Sequence, residues 1–333
     1  IGTTRDGLQQ GHAWTTTGIY FDGENHDTTI RDNRIAGILA RAVPHLGPGY
    51  FIGTAISIYG AGEGVSIVGN KIGLNANNEP TLGSVTGIAT TNYYLGPVQN
   101  VTIGGPAPGA GNEIAGNLLS GVSIANTFSG VRISGNSIHD NGGPGIDLIT
   151  DGFLIGVTPN DPGDADTGGN TLQNFPTLTS AVGTGSSISV QGSLNSLAGQ
   201  TFTLEFFAGP ACDASGFGQG ALFLGSAPVT TDGAGDASFL VTIPAAAPLG
   251  SVITATATNA STGNTSEFSA CVPLIGGRCP ADFNGDGAAS VQDIFDFLAA
   301  YFTGDPAADF DRSGAVSVQD IFDFLAAYFA GCP

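Results

Sequence analysis

Near its C-terminal end the chain says the same thing twice. Ser-Val-Gln-Asp-Ile-Phe-Asp-Phe-Leu-Ala-Ala-Tyr-Phe runs from Ser290 to Phe302 and again from Ser317 to Phe329, 27 residues later. Each copy follows an acidic, glycine-bearing stretch: Asp282-Phe-Asn284-Gly-Asp286-Gly287 before the first, Asp309-Phe-Asp311-Arg-Ser313-Gly314 before the second. Two identical runs at helical spacing behind two matching turn-rich stretches leave few folds open. The duplication predicts two loops, each feeding one amphipathic helix.

The side chains of these loops are oxygen donors at alternate positions. A calcium ion takes six to eight oxygens, and a loop of twelve residues supplies them from positions 1, 3, 5, 7, 9 and 12 with glycine at position 6. Asp282, Asn284, Asp286, the Ala288 carbonyl, Ser290 and Asp293 fill those places in the first loop. Asp309, Asp311, Ser313, the Ala315 carbonyl, Ser317 and Asp320 fill them in the second. Ser313 is a neutral hydroxyl where a carboxylate is usual, so the second site is expected to bind less tightly. The predicted cofactor is Ca2+; two Asx-rich turns capping two helices are the plainer alternative.

The tandem resembles a dockerin, the calcium-binding appendage that plugs secreted proteins into partners carrying cohesin domains. The resemblance covers residues 279–333. Ile294, Leu298 and Tyr301 with Phe295 and Phe302 form an apolar stripe at helical spacing, repeated by Ile321, Leu325, Tyr328, Phe322 and Phe329, and this stripe is expected to be the module's core. Phe297 and Phe324 fall off its centre and are expected to be exposed, as a partner surface. The resemblance adds the pairs just before position 12, Val291-Gln292 and Val318-Gln319, to that surface. Because the pairs are identical, the module is expected to present either face.

The net charge of −20, with only 8 Lys and Arg, argues against nucleic acid or an anionic membrane as partner. No apolar run is long enough to span a membrane. The absence of Met predicts that residue 1 is not the start of the translated chain, and Ile1-Gly-Thr-Thr reads as the middle of a repeat whose open end something should cover. Four cysteines without Cys-x-x-Cys spacing read as disulfides, Cys212 with Cys271 and Cys279 with Cys332, in an extracellular, secreted protein.

A fainter repeat, Ile-x-x-Asn-x-Ile, occupies residues 1–150. It appears as Ile30, Asn33, Ile35; Ile67, Asn70, Ile72; and Ile133, Asn136, Ile138, with Ile103, Asn112 and Ile114 as a copy split by a glycine-proline loop. Short strands headed by glycine lie between, as in Gly121-Val-Ser-Ile and Gly145-Ile-Asp-Leu. Recurrence at tens of residues with Asn at one corner predicts a parallel solenoid, aliphatics inward and Asn side chains laddered. The stretch resembles the right-handed parallel β-helix proteins of bacterial secreted chains; a β-sandwich is the alternative.

Residues 151–171 break the pattern with a polar, acidic connector. Asp161, Asp164, Asp166 and Asn170 offer oxygens for a further calcium there, and a solvated connector with Asx turns is an equal alternative. Residues 172–272 alternate as strands and, with one bridge, suggest an immunoglobulin-like sandwich, with a hairpin signal at Thr231 to Asp236. Residues 273–278 form a linker. The fold class is therefore mainly β: a parallel β-helix, an immunoglobulin-like sandwich and a small α-helical module.

Parallel β-helices host many polysaccharide lyases and hydrolases, so catalysis must be weighed on residues. Asp140, Asp147, His139 and Arg132 lie near the last repeats, but neither the paired-aspartate nor the Gly-His-Gly motif of polygalacturonases is present, and His26 and His45 read as loop residues. No catalytic residue is assigned. The function read from the sequence is extracellular attachment, through a cohesin-like protein or a neighbouring copy of the chain in a head-to-tail filament. The alternative is a polysaccharide-degrading enzyme delivered by the same tail, with polysaccharide as ligand.

Overall fold

The structure is a computed structural model that describes residues 16–22, 25–38, 41–42, 51–59, 62–91, 100–150, 156–183, 186–276, 280–285 and 289–330. The protein is mainly β, with parallel sheets and two C-terminal helices.

In chain order the first strands are β1 (Thr17–Asp22), β2 (Asn25–His26), β3 (Thr29–Arg31), β4 (Arg34–Ile35), β5 (Arg41–Ala42) and β6 (Phe51–Ile52). Next come β7 (Thr54–Tyr59), β8 (Gly62–Glu63), β9 (Ser66–Val68), β10 (Lys71–Ile72) and β11 (Thr86–Thr91). The set closes with β12 (Val101–Gly104), β13 (Glu113–Ala115), β14 (Val122–Ile124), β15 (Val131–Ser134), β16 (Ser137–His139) and β17 (Ile146–Leu148). Thirteen of them build three parallel sheets, ordered β1-β7-β11-β14-β17, β3-β9-β12-β15 and β4-β10-β13-β16, while β2 pairs with β8 in parallel and β5 with β6 antiparallel. The chain visits the three in the same rotation, so each strand pairs with its counterpart one turn on.

The register is the one that the Ile-x-x-Asn-x-Ile spacing predicts. Ile67 stands opposite Ile30 and Ile103, and Ile103 opposite Ile133. Ile72 stands opposite Ile35 and Ile114, and Ile114 opposite Ile138. These aliphatics are all buried, at about 1.5–3 kcal/mol apiece. At the corner between the two rows the asparagines form the expected ladder: Asn33, Asn70 and Asn112 each donate backbone N–H and Nδ2 to the Oδ1 of the next, ending at Asn136. Gly104 turns this corner with φ 82°, where a Cβ would meet Asn136 Oδ1 at 2.4 Å. A second ladder, Asn117 to Asn141 to Gln219, had no counterpart in the sequence reading.

The following strands are β18 (Thr177–Gly183), β19 (Ile188–Asn195), β20 (Thr201–Gly209), β21 (Leu222–Thr230), β22 (Asp236–Ile243), β23 (Val252–Asn259) and β24 (Val272–Gly276). They join in the order β21-β20-β23-β24-β18-β19-β22, antiparallel except where β24 meets β18. One core draws on both halves of this sheet, with Val190 and Leu194 packed into the cluster that holds Phe202, Leu204 and Phe206. The turn at Asp232 to Asp236 forms, but β21 pairs with β20 and β22 with β19, so it is a crossing between halves and not the expected hairpin. Cys212 and Cys271 are bonded as expected; Cys279 and Cys332 lie outside the described residues.

Strand β20 has two faces because its side chains alternate. Phe202, Leu204 and Phe206 enter the core of the antiparallel unit, while Phe207, past an irregularity in the pairing, joins the core of the parallel sheets together with Phe268. The antiparallel unit is thus seated on the last turn of the parallel unit. It answers the unpaired N–H groups that an end turn would leave, each of which would cost free energy if buried without a partner. Ile133 N donates to Thr265 Oγ1 at 2.9 Å, Gly135 N to Glu205 Oε2 at 2.8 Å, and Leu148 N to Glu267 Oε1 at 3.0 Å. Part of the connector belongs to this seam as well. Asp164, Gly168, Gly169 and Asn170 are buried, although polarity had argued for a solvated loop; hydrogen bonds within the seam offset the burial.

The helices are α1 (Val291–Thr303) and α2 (Val318–Ala330), joined through a short 3-10 turn, Pro306–Ala308. Their core overturns one expectation. Phe297 and Phe324 are fully buried and stack face to face, ring centres 4.2 Å apart, with Phe283 and Phe310 edge-on around them. Phe295, Phe302, Phe322 and Phe329, read as core, are exposed. The helix is apolar on two adjacent faces, so spacing alone does not choose between them. The loop phenylalanines choose the face that carries Phe297 and Phe324.

Candidate metal centre and docking surface

Each loop of the repeat is built around the aspartate at its twelfth position. Asp293 is the third residue of α1 and forms a capping box with Ser290: Ser290 N and Oγ both reach Asp293 Oδ2, at 2.7 and 3.0 Å, while the Ser290 hydroxyl accepts from Gln292 N. The other oxygen, Asp293 Oδ1, accepts from Asn284 N, at loop position 3. Asp320 repeats the pattern with Ser317 and Asp311 N. Burial pulls Asp293 upward, but the N–H groups of Ser290, Asn284 and Phe283 and the Ser290 hydroxyl outweigh it and hold it below the usual carboxylate value. Asp320 is held low first by Ser317 N–H, against desolvation. Both stay ionised.

In the second loop Asp309, Asp311 and Asp320 bring carboxylate oxygens within 4.8 Å of one another. Asp309 accepts from Ser313 N and Gly314 N, and Gly314 sits at φ 91°, the left-handed turn required at position 6. Gly285 and Arg312, both at position 4, are left-handed too. The Ser313 hydroxyl turns to the Ala315 carbonyl at 3.3 Å, so two of the expected donors are in contact. In the first loop Asp282, Asn284, Ser290 and Asp293 are described, whereas Asp286 and Ala288 lie outside the described residues. Hard oxygens of this number, three of them charged and converging, suit a calcium-sized cation.

The connector holds a second carboxylate group. Asp161, Asp164 and Asp166 also converge within 4.8 Å. Burial pushes Asp164 up to about 6, against the hydrogen bonds of Ser196 and Asn174 N–H. Asp166 Oδ1 is shut off from solvent without a hydrogen-bond partner. Asn170, grouped with them on sequence, is elsewhere: its Oδ1 accepts from Val131 N, and its Nδ2 donates to Val131 O and Thr265 O. The seam claims that side chain, which removes it from the cluster.

On the helices, Val291 and Val318 are exposed as expected, and Gln292 and Gln319 are exposed and bonded to Asp296 and Asp323 one turn on. The aromatic part of the surface is Phe295 and Phe302 on α1, matched by Phe322 and Phe329 on α2, with Phe302 78% and Phe329 80% exposed. The acids weighed for catalysis do not share a site. Asp140 is exposed and bonded to His139 Nδ1 at 2.7 Å, whereas Asp147 is buried in β17, where its Oδ1 accepts from Gly156 N.

Sequence reading missed Glu205, Glu267, Gln219 and Thr265. The signal for Glu205 was present, since a carboxylate inside Phe-Thr-Leu-Glu-Phe-Phe needs a buried partner. Among the described residues no helix is long and apolar enough to cross a membrane. No family model matches the chain, and no curated protein is significantly similar to it.

Proposed function

We propose that this chain is an extracellular attachment protein, in which a right-handed parallel β-helix and an immunoglobulin-like sandwich form a rigid body and a dockerin-like module, loaded with Ca2+, docks that body onto a cohesin-like partner. The rotation of the chain through three parallel sheets supports the β-helix, and the core shared by both halves of the seven-stranded sheet supports the sandwich. The observation that carries the function is the duplicated surface. Val291, Phe295 and Phe302 on one helix are matched residue for residue by Val318, Phe322 and Phe329 on the other, all exposed. Large apolar groups left in water in two equivalent stripes mark a contact surface.

The calcium loops lie at the N-terminal ends of the same helices, so a cation there would fix the angle at which the stripes are presented. Asp282, Asn284, Ser290 and Asp293 with Asp286 and Ala288 would hold one ion, and Asp309, Asp311, Ser313, Ala315, Ser317 and Asp320 the other. The test is binding of the full chain to a cohesin-like domain in calcium and in EDTA. Phe295→Asp with Phe302→Asp, or Phe322→Asp with Phe329→Asp, should each leave binding through the other helix; all four together should abolish it. Binding that survives the fourfold variant would overturn the reading. Light scattering of the calcium-loaded chain alone distinguishes docking onto a neighbouring copy.

The alternative of a polysaccharide-degrading enzyme is favoured by one feature, an open cleft of about 600 Å³ lined by His139, Asp140, Gln219 and Asp213 beside the Cys212–Cys271 bridge. Release of reducing ends from polysaccharide, lost in His139→Ala, would support it over attachment alone.

A further inference from the structure

Asparagine followed by glycine occurs twice in the chain, at Asn141-Gly142 and at Asn284-Gly285. The dipeptide carries its own chemistry, because a glycine amide nitrogen with no side chain beside it can reach and attack the asparagine carboxamide carbon. Whether it does so depends on what the fold does with the two groups, and here the two copies stand in opposite surroundings. Asn141 is 4% exposed and belongs to the second ladder. Its Oδ1 accepts from Asn117 N and Nδ2, its Nδ2 donates to Ile114 O and Gln219 Oε1, and its own N donates to Gln219 Oε1. Gly142 N donates to Asn117 O at 2.8 Å. Carboxamide and nucleophile are both held elsewhere, so attack requires this turn of the parallel sheets to open first.

Asn284 and Gly285 are both exposed, at positions 3 and 4 of the first loop. Asn284 N donates to Asp293 Oδ1 at 3.2 Å and its Nδ2 to Asp296 Oδ2 at 3.1 Å, on the water side of the loop. Gly285 turns left-handed at φ 76°, with nothing within 4 Å of where a Cβ would stand.

We propose that Asn284 is a site of spontaneous covalent modification, deamidating through Gly285 in the folded chain while Asn141 is spared. The Gly285 nitrogen bonds to Asn284 Cγ, the Cγ–Nδ2 bond breaks, and ammonia leaves with the proton that Gly285 gives up. Water then adds to one carbonyl of the resulting cyclic imide and opens it. Opening at the main-chain carbonyl leaves isoaspartate, whose main chain runs through the former side chain and is one methylene longer; opening at Cγ leaves aspartate. The two products act on the loop in opposite ways. Aspartate reproduces Asp311, which holds the same position in the second loop. Isoaspartate displaces Gly285 and the donors after it relative to Asn284 N, which Asp293 anchors. The consequence for a bound ion rests on the calcium reading above, whereas the modification itself does not.

The experiment incubates the full chain in mildly alkaline heavy-oxygen water with EDTA and reads both sites by peptide mass, the oxygen label marking each imide that opens. Asn284 should convert at least about tenfold faster than Asn141 in the folded chain, because Asn141 must first leave its ladder. In denaturant the two rates should come together. Asn284→Gln, which would need a larger ring, should remove the label from that position. Equal rates in the folded chain, or a gap that persists in denaturant, would overturn the proposal. Calorimetric calcium titration of Asn284→Asp is read separately: tighter binding than in the unaltered chain is expected, and calcium bound by neither chain would sink the calcium reading while the label at position 284 still decides the modification.

Discussion

The β body and the helical module both bury polar atoms, and they answer them differently. In the body the answer comes from the chain itself: each interior ladder asparagine finds partners on its neighbours, and the end turn finds them on the antiparallel unit. In the module the loop carboxylates find N–H donors too, but the chain supplies them almost no positive charge. Nine aspartates lie between residues 282 and 323, with Arg312 the single basic residue in that span. The buried side-chain atoms left without a hydrogen-bond partner among the described residues, on Ser84, Asp166 and Thr256, all lie in the body, so the module is set apart by unbalanced charge and not by unmet hydrogen bonds. Asp293 and Asp320, held low, contribute stability above the ordinary carboxylate range that is lost as pH falls.

The largest single effect should come from the module's aromatic stack. Phe297→Ala empties the centre of a core whose only other fully buried large side chain among the described residues is Phe324, and should cost about 4 kcal/mol against less than about 0.5 for Phe302→Ala. Denaturant unfolding followed by the helical circular dichroism reads both. Equal losses would return Phe297 to the surface role that its sequence position suggested.

The ladder should come next. Asn112 accepts two hydrogen bonds from Asn70 and donates to Ile67 O and Asn136 Oδ1, all buried, so Asn112→Ala should destabilise the body by about 3 kcal/mol. Asn33 is exposed at the ladder's start, and Asn33→Ala should cost about 1 kcal/mol or less. A flat profile along the ladder, measured by thermal unfolding, would mean that water replaces these bonds.

How much of this could be read in advance follows the same division. The isoleucine rows and the Asn33 to Asn136 ladder were legible because a period in sequence becomes a register in space, and nothing else competes for those positions. The face of each helix was not, because Phe295 and Phe297 are equally apolar and the decision rests with Phe283 and Phe310, which lie in another segment. Asn170 was misread for a related reason. Its local company is acidic, but its partners Val131 and Thr265 are 39 and 95 residues away. The loops around Asp293 and Asp320 were legible as far as the convergence of Asp309, Asp311 and Asp320, since that spacing is local. The seam, made of pairs such as Ile133 with Thr265, was visible only as carboxylates standing where apolar residues were due.

The smallest effect tests the comparison from inside the module. Ser290 and Ser317 make the same bonds: each hydroxyl accepts from the backbone two residues on, at 3.2 Å, and donates to the aspartate three residues on. As helix caps they are equivalent, so Ser290→Ala and Ser317→Ala should each cost about 1 kcal/mol in EDTA, measured by thermal unfolding of the full chain. In calcium the equivalence should break. The same hydroxyl then occupies loop position 9, and the first loop has Asp286 at position 5 where the second has Ser313. A loop with one charged ligand fewer leans harder on each remaining oxygen, so Ser317→Ala should lower the calcium-loaded midpoint more than Ser290→Ala does. Equal losses in both conditions would reduce the two serines to caps and take position 9 out of the metal site.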